Sequence, residues 1–360
     1  MVDTTREKLI REASDVYAQP NDAISVAAFA FDIALYATGV VTAVLGQVWW
    51  LKIIGAVVAG TATSTLFILG HDAAHKSLVT SGKANAGLAR IAFLPCLHNY
   101  TLWVIQHNRL HHQFTNVRGL NSFSPLSVTE YRSLPRWRRI VERCYRSVPG
   151  FGLYYLFERW WKDKYFPRRS TPAAKRVPAW LDFALLGLWV AVSWTGLVAL
   201  AIWDRQPSPA LAIVWGFVVP FAVWNTLMGL TAYLQHTNPR LPWFRSQSEA
   251  RADRSQGELA THVIYPLWYD LLSHNIMLHA PHHVNPRIPW FRLRAAQKQL
   301  HALLGDAAVV EQMTMKYVLR LTRTCQLYDY DSRQWLDFAG RPTTLPAASV
   351  ARCGSLAPAS

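Results

Sequence analysis

The sequence predicts an all-α integral membrane fold, with four transmembrane helices and a cytoplasmic helical cap. Three observations carry this. Of 360 residues, 51% are hydrophobic and only 16% charged, with sixteen Trp, a balance suited to lipid and to the interface that Trp favours. Four apolar runs are each of span length, about 18 residues or more, and the first, at 1.5 Å per residue, covers a hydrocarbon core of about 30 Å. Basic residues fall almost entirely on one side of those runs.

Residues 1–23 form an N-terminal cytoplasmic segment. Its Asp3, Glu7, Glu12 and Asp15 do not fit the basic start and short apolar core of a cleavable signal, so anchoring falls to internal spans. The first span, about 24–49, is apolar except for Asp32, which either marks a polar site or pairs locally near the interface. Lys52 punctuates a very short turn, and the second span, about 53–70, runs directly into a histidine cluster. Residues 87–97 are apolar but too few to cross, and are read as interfacial or re-entrant. Between His112 and Ala179 no run is long enough to span. Arg136-Trp137-Arg138-Arg139 and Arg159-Trp160-Trp161-Lys162 there interleave aromatic and basic residues as an interfacial helix would. The third and fourth spans lie near 180–203 and 209–234, the latter kinked at Pro220. The membrane domain, 24–300, is followed by a cytoplasmic helical segment, 301–340, and a tail, 341–360, whose Pro, Ala and Ser content predicts disorder.

Four spans place residues 1–23, 71–178 and 235–360 on one side. All of the 37 Lys and Arg except Lys52 and Arg205 lie there, which makes that side the cytoplasm. The net charge of +15 is spread through loops without a nucleic-acid recognition motif and suits anionic headgroups better. The absence of a transit peptide or retention signal points to a bacterial inner membrane. Cys96, Cys144, Cys325 and Cys353 form no Cys-x-x-Cys pair, so no zinc ribbon or redox dithiol is expected.

Every histidine falls in the cytoplasmic segments or at their edges, and most cluster. His71-Asp72-Ala73-Ala74-His75 sets two imidazoles at i and i+4, on one helical face. His107-Asn108-Arg109-Leu110-His111-His112 holds three, and Ser273–His283 holds four: His274, His279, His282 and His283. His71 ends the second span and His236 the fourth, so parallel spans present ligands at one surface. Eight to ten imidazoles exceed the needs of one metal ion. Zinc has no redox chemistry and its structural sites usually include thiolates, which are missing here, so a pair of irons activating oxygen fits best. His98 and His301 lack cluster partners and are read as structural; His262 need not be a ligand.

At these residues the chain resembles the membrane-bound fatty acid desaturase and hydroxylase superfamily, whose signature is three histidine boxes on the cytoplasmic face of a four-span bundle. His71-x-x-x-His75, His107-x-x-x-His111-His112 and His279-x-x-His282-His283 occur in the right order and between the right spans. Gln235-His236-Thr237-Asn238-Pro239, His274-Asn275-Ile276 and His282-His283-Val284-Asn285-Pro286-Arg287-Ile288-Pro289 look like the acyl-lipid delta-12 and omega-3 branch, and Thr261–Pro266 is similar to a motif of its bacterial members. The resemblance covers about residues 25–300.

It implies metal ligands at His71, His75, His107, His111, His112, His279, His282 and His283, with His236 as the additional ligand after the last span. His274 matches a histidine common just ahead of the third box in the delta-12-like branch and is counted as a tenth candidate. Two departures stand out. The second box is one residue longer than the His-x-x-His-His usual in that branch, so Leu110 bears on where His107 points. Lys76 stands where many eukaryotic members have a second histidine. The resemblance also implies that two Fe(II) ions reduce O2 with two supplied electrons and oxidise an unactivated methylene, giving a cis alkene or, by hydroxyl rebound, an alcohol. Asp72 and Asn275 are expected to orient neighbouring ligands.

The expected substrate is an acyl-lipid or acyl thioester. The sequence has no flavin or nicotinamide glycine fingerprint, iron–sulfur cysteine pattern or fused cytochrome b domain, so a separate ferredoxin or cytochrome must deliver electrons. A hydroxylase, ketolase or acetylenase would carry the same histidines. A transport protein would keep its ligands near the midplane, often with inverted repeats, neither of which is found.

Overall fold

The computed structural model describes residues 4–112, 114–162 and 173–346. Among the described residues, four helices are long and apolar enough to cross a membrane: Asp22–Leu45, Trp49–Ala74, Lys175–Trp203 and Leu211–His236. Each closes its backbone hydrogen bonds internally, as hydrocarbon demands. The first starts where the Asn21 side chain accepts from the Ile24 amide, a helix cap. The first two spans meet backbone to backbone. A Cβ at Gly39 would lie 2.5 Å from the Ala59 nitrogen, and one at Gly55 would collide with the Ala43 backbone. Small residues thus supply the close packing that drives helix association in lipid.

The span boundaries differ from the sequence expectation where polar groups find partners. The second helix begins at Trp49 and runs through Lys52, whose Nζ reaches Val44 O at 2.8 Å and Gln206 Oε1 at 3.3 Å. The ammonium snorkels along its aliphatic stem to the short turns instead of ending the helix. This helix continues to Ala74 and carries His71 in its last turn. In the fourth span a π-turn over Val214–Val218 precedes Pro220, and the helix passes through the proline without interruption.

Between the second and third spans the apolar stretch expected at the interface forms the helix Gly82–Phe93. The first basic-aromatic stretch forms Arg136–Tyr145, exposing Trp137 and Ile140, and the second lies in a π-helix, Tyr155–Trp161. The cap has a core of its own. Phe123, Phe151, Trp243, Val263, Tyr328 and Trp335 pack around Tyr233 and Leu234 at the end of the fourth span. The N-terminal helix Thr4–Ser14 closes the cap by packing Ile10 against Ala260, Ala280 and Leu300.

The cap is not all helical. Thr261–Ile264 pairs in parallel with Val309–Gln312, and Leu327–Asp329 pairs antiparallel with Gln334–Leu336. The 301–340 segment expected to be helical therefore holds the helix Met315–Thr324 and three strands. Of the tail expected to be disordered, residues 347–360, with Cys353, lie outside the described residues.

Candidate metal centre

The second and fourth spans bring His71 and His236 to the same side of the bundle, where the cap folds over them. Nine histidines form two groups. His71, His75, His107, His112 and His282 make one, and His111, His236, His279 and His283 the other, each with its ligand atoms within 4.8 Å of one another. Neighbours in sequence part company: His111 and His112, like His282 and His283, point to different groups. Consecutive helical residues diverge while positions i and i+4 share a face, so His279 and His283 stay together on the short helix His279–Val284.

The longer second box is absorbed by a π-helix over Ile105–His111, in which the His112 amide donates to His107 O, five residues back, at 3.2 Å. The wider turn brings His107 and His112 into one group, and the His107 ring stacks on Trp103 at 4.2 Å.

Hydrogen bonds outside the groups set the imidazole tautomers. The Nδ1 atoms of His71, His111 and His236 lie 3.3, 2.8 and 3.1 Å from Asp72 Oδ1, Asn121 Oδ1 and Leu259 O. Each partner is an acceptor, so Nδ1 carries the proton and Nε2 turns a lone pair inward. The Asn121 amide is held in register because its nitrogen donates to Phe114 O. Asp72 also accepts from the Trp290 amide at 2.7 Å.

The inward nitrogens crowd one another. His107 Nε2 lies 3.0 Å from His71 Nε2 and 3.1 Å from His112 Nε2. His279 Nε2 lies 3.1 Å from His236 Nε2 and 2.9 Å from His283 Nε2. A ring nitrogen has one proton or one lone pair, so hydrogen bonds among imidazoles cannot satisfy all of these contacts. A cation within each group would take every lone pair at once. The buried His75 Nε2, which has no hydrogen-bond partner, fits the same reading. Burial first, then neighbouring imidazoles, holds His107, His279, His282 and His283 well below the ordinary range and pushes His112 down to about 3. The rings therefore stay neutral, as metal ligands must. An all-nitrogen donor set suits iron as well as zinc, copper or nickel.

A narrow cavity of about 70 Å³, room for a few water-sized groups, reaches His71, His107, His236 and His279 between walls that include Phe67, Ile68 and Met228. A long apolar substrate would have to widen it.

The tenth candidate stands apart. His274 joins neither group; its Nε2 is 2.7 Å from Asp32 Oδ2, and its ring meets Trp290 edge-on at 4.7 Å. Asn275 does not touch a box histidine either: it donates to Trp290 O at 3.2 Å and accepts from Arg294 at 3.4 Å. His98 packs beside Tyr155, with Nε2 3.1 Å from its hydroxyl, and His262 pairs with His301 at 3.3 Å. Asn121 and Trp103 carry no spacing signal that ties them to the boxes and were not anticipated; Asp72 was.

A family model described as fatty acid desaturase matches residues 47–314. The chain is 24% identical over 328 residues to a chloroplastic omega-6 fatty acid desaturase of Glycine max, covering 89% of this chain and 71% of that protein. It is 26% identical over 327 residues to the Arabidopsis thaliana protein of the same name, covering 90% and 68%. With an sn-1 oleoyl-lipid 12-desaturase of Synechocystis sp. it shares 28% identity over 289 residues, covering 78% and 77%.

Proposed function

The chain belongs to the fatty acid desaturase family, and from that premise we propose that it inserts a cis double bond into the acyl chain of a membrane lipid, using two irons held by its nine grouped histidines. It is an integral membrane oxidoreductase of fatty acyl desaturation. The acyl-lipid substrate is supported by the relatives named for oleoyl-lipid desaturation. The cytoplasmic location of the site is supported by the one-sided distribution of Lys and Arg.

The observation that carries the proposal is the convergence of crowded, neutral imidazoles into two groups beside one cavity. When bound, the iron pair supplies the reduction of O2 that oxidises the methylenes; O2, two electrons from a separate ferredoxin or cytochrome and two protons complete the balance, two water molecules being formed. The protein contributes position. Asp72, Asn121 and the Leu259 carbonyl hold ligand rings in one tautomer, and the apolar wall of Phe67, Ile68 and Met228 would align methylenes against His71 and His107 while excluding water.

Lipids of a host expressing the chain, compared with those of a host expressing His283→Ala, test this by mass spectrometry. Acyl chains lighter by two hydrogens, seen only with the unaltered chain, are expected. Acyl chains heavier by one oxygen would overturn it in favour of a hydroxylase.

A further inference from the structure

One stretch beyond the fourth span is built for lipid although it is far too short to cross it. Residues 255–286 contain no Lys or Arg, in a chain with 37. Within them the short helix Leu267–Leu272 turns its one carboxylate, Asp270, inward to Arg294 at 3.0 Å. It leaves Leu267, Trp268 and Leu271 exposed at 59%, 67% and 51%. Such a contiguous apolar face, with no charge on it, marks an interaction surface.

The position of this helix identifies what covers it. The next residues lead directly to His274, whose amide donates to Leu271 O at 3.2 Å and whose ring reaches Asp32 at 2.7 Å. Asp32 lies ten residues into the first span, about 15 Å along its axis from Asp22, which is tied to Thr80, five residues past His75 in the chain. The contacts of Gly39 with Ala59 and of Gly55 with Ala43 set the register of the two spans. They place Asp32 opposite the stretch near Leu66, about a turn deeper than His71. The outer face of the first span is already apolar and exposed from Ile24 and Val26 onward, through Phe31 and Ile33. The helix is therefore pinned beside the exposed apolar face of the first span. Asp32, fully buried there, is the carboxylate that accepts the pin.

We propose that the helix Leu267–Leu272 is a lipid-embedded foot of the cap, with Leu267, Trp268 and Leu271 seated among the acyl chains of the same leaflet, alongside the first span. The third histidine box thus hangs from an element anchored in the bilayer, not from a loop in water. A Trp on the face agrees with a position near the interface.

Site-directed spin labelling of the full chain in phosphatidylcholine nanodiscs tests this. Cys144 and Cys353 are replaced by Ser, and nitroxides are attached at Trp268→Cys and Leu271→Cys, surface positions at which the fold is not at stake. Leu188→Cys on the third span serves as the lipid reference and Met315→Cys on the cap as the water reference. Collision with O2 at 268 and 271 should exceed that with a water-soluble nickel chelate severalfold more than it does at 315, and match 188. Nickel accessibility like that at 315 would overturn the proposal. So would low accessibility to both reagents, which would mean that protein covers the face.

Discussion

The Nε2 atoms of His107 and His112 lie 3.1 Å apart although the two residues are five positions apart in the chain. A regular α-helix turns such positions onto different faces; the π-helix over Ile105–His111 makes one wide turn of the five. The extra residue of the second box is thereby accommodated, not discarded. Deleting Leu110 leaves His-x-x-His-His, in which a regular α-helix sets His107 and His112 at i and i+4 on one face, so the two should stay in one group without the wide turn. The purified variant is expected to keep about two irons per chain and its desaturation. Loss of iron and activity, with helical circular dichroism retained, would show that the wide turn itself is required.

Asn121 accepts from His111 Nδ1 at 2.8 Å. Asn121→Ala removes that acceptor and frees the ring to rotate or change tautomer. Loss of such outer partners typically costs about 10–100-fold in metal affinity or activity. The variant should show a drop of that size in turnover, together with easier removal of iron by a chelator. Unchanged chelator resistance would separate Asn121 from ligand orientation.

His274→Ala should keep its iron. The imidazole partners Asp32 inside the bundle and is in neither metal group, so its loss strands a buried carboxylate, a defect worth about 3 kcal/mol. A lower melting temperature at nearly unchanged metal content is expected, with partial recovery in His274→Ala combined with Asp32→Leu. Iron loss as large as that of His282→Ala would return His274 to the ligand set.

The His262–His301 pair predicts sensitivity to acid away from the metal groups. Burial first, then His301 and Arg294, pushes His262 from 6.5 down to about 4, and burial lowers His301 as well. Between those values the unfolded chain binds protons that the folded chain refuses, so stability falls as pH drops from about 6.5 towards 4. Thermal unfolding followed across that range should decline less steeply in His262→Gln than in the unaltered chain. Equal slopes would remove the pair as a cause.

Much of this centre was legible before any coordinates. The four spans and the gathering of nine histidines at one end of them follow from apolar run length and from the place of the boxes relative to the spans. The allocation of histidines to groups does not, because it depends on helical phase and on a π-turn that an extra residue only hints at. His274 resembled a box member by sequence proximity, yet the positive φ at His274 and Asn275 turns the chain so that the ring faces the first span. Lys52 looked like a helix breaker because its long stem conceals how far the charge can travel. The strand pair Thr261–Ile264 with Val309–Gln312 depends on contacts between distant segments, and Asn121 meets His111 through a loop whose course no residue spacing encodes.

On the proposed function, each of the two imidazole groups holds one iron. Metal determination on the purified chain and on His112→Ala and His236→Ala, one from each group, tests it most directly. About two irons per unaltered chain and a clear loss in each variant are predicted. Zinc alone, or a single iron lost only with one of the two groups, would rule out an iron in each group.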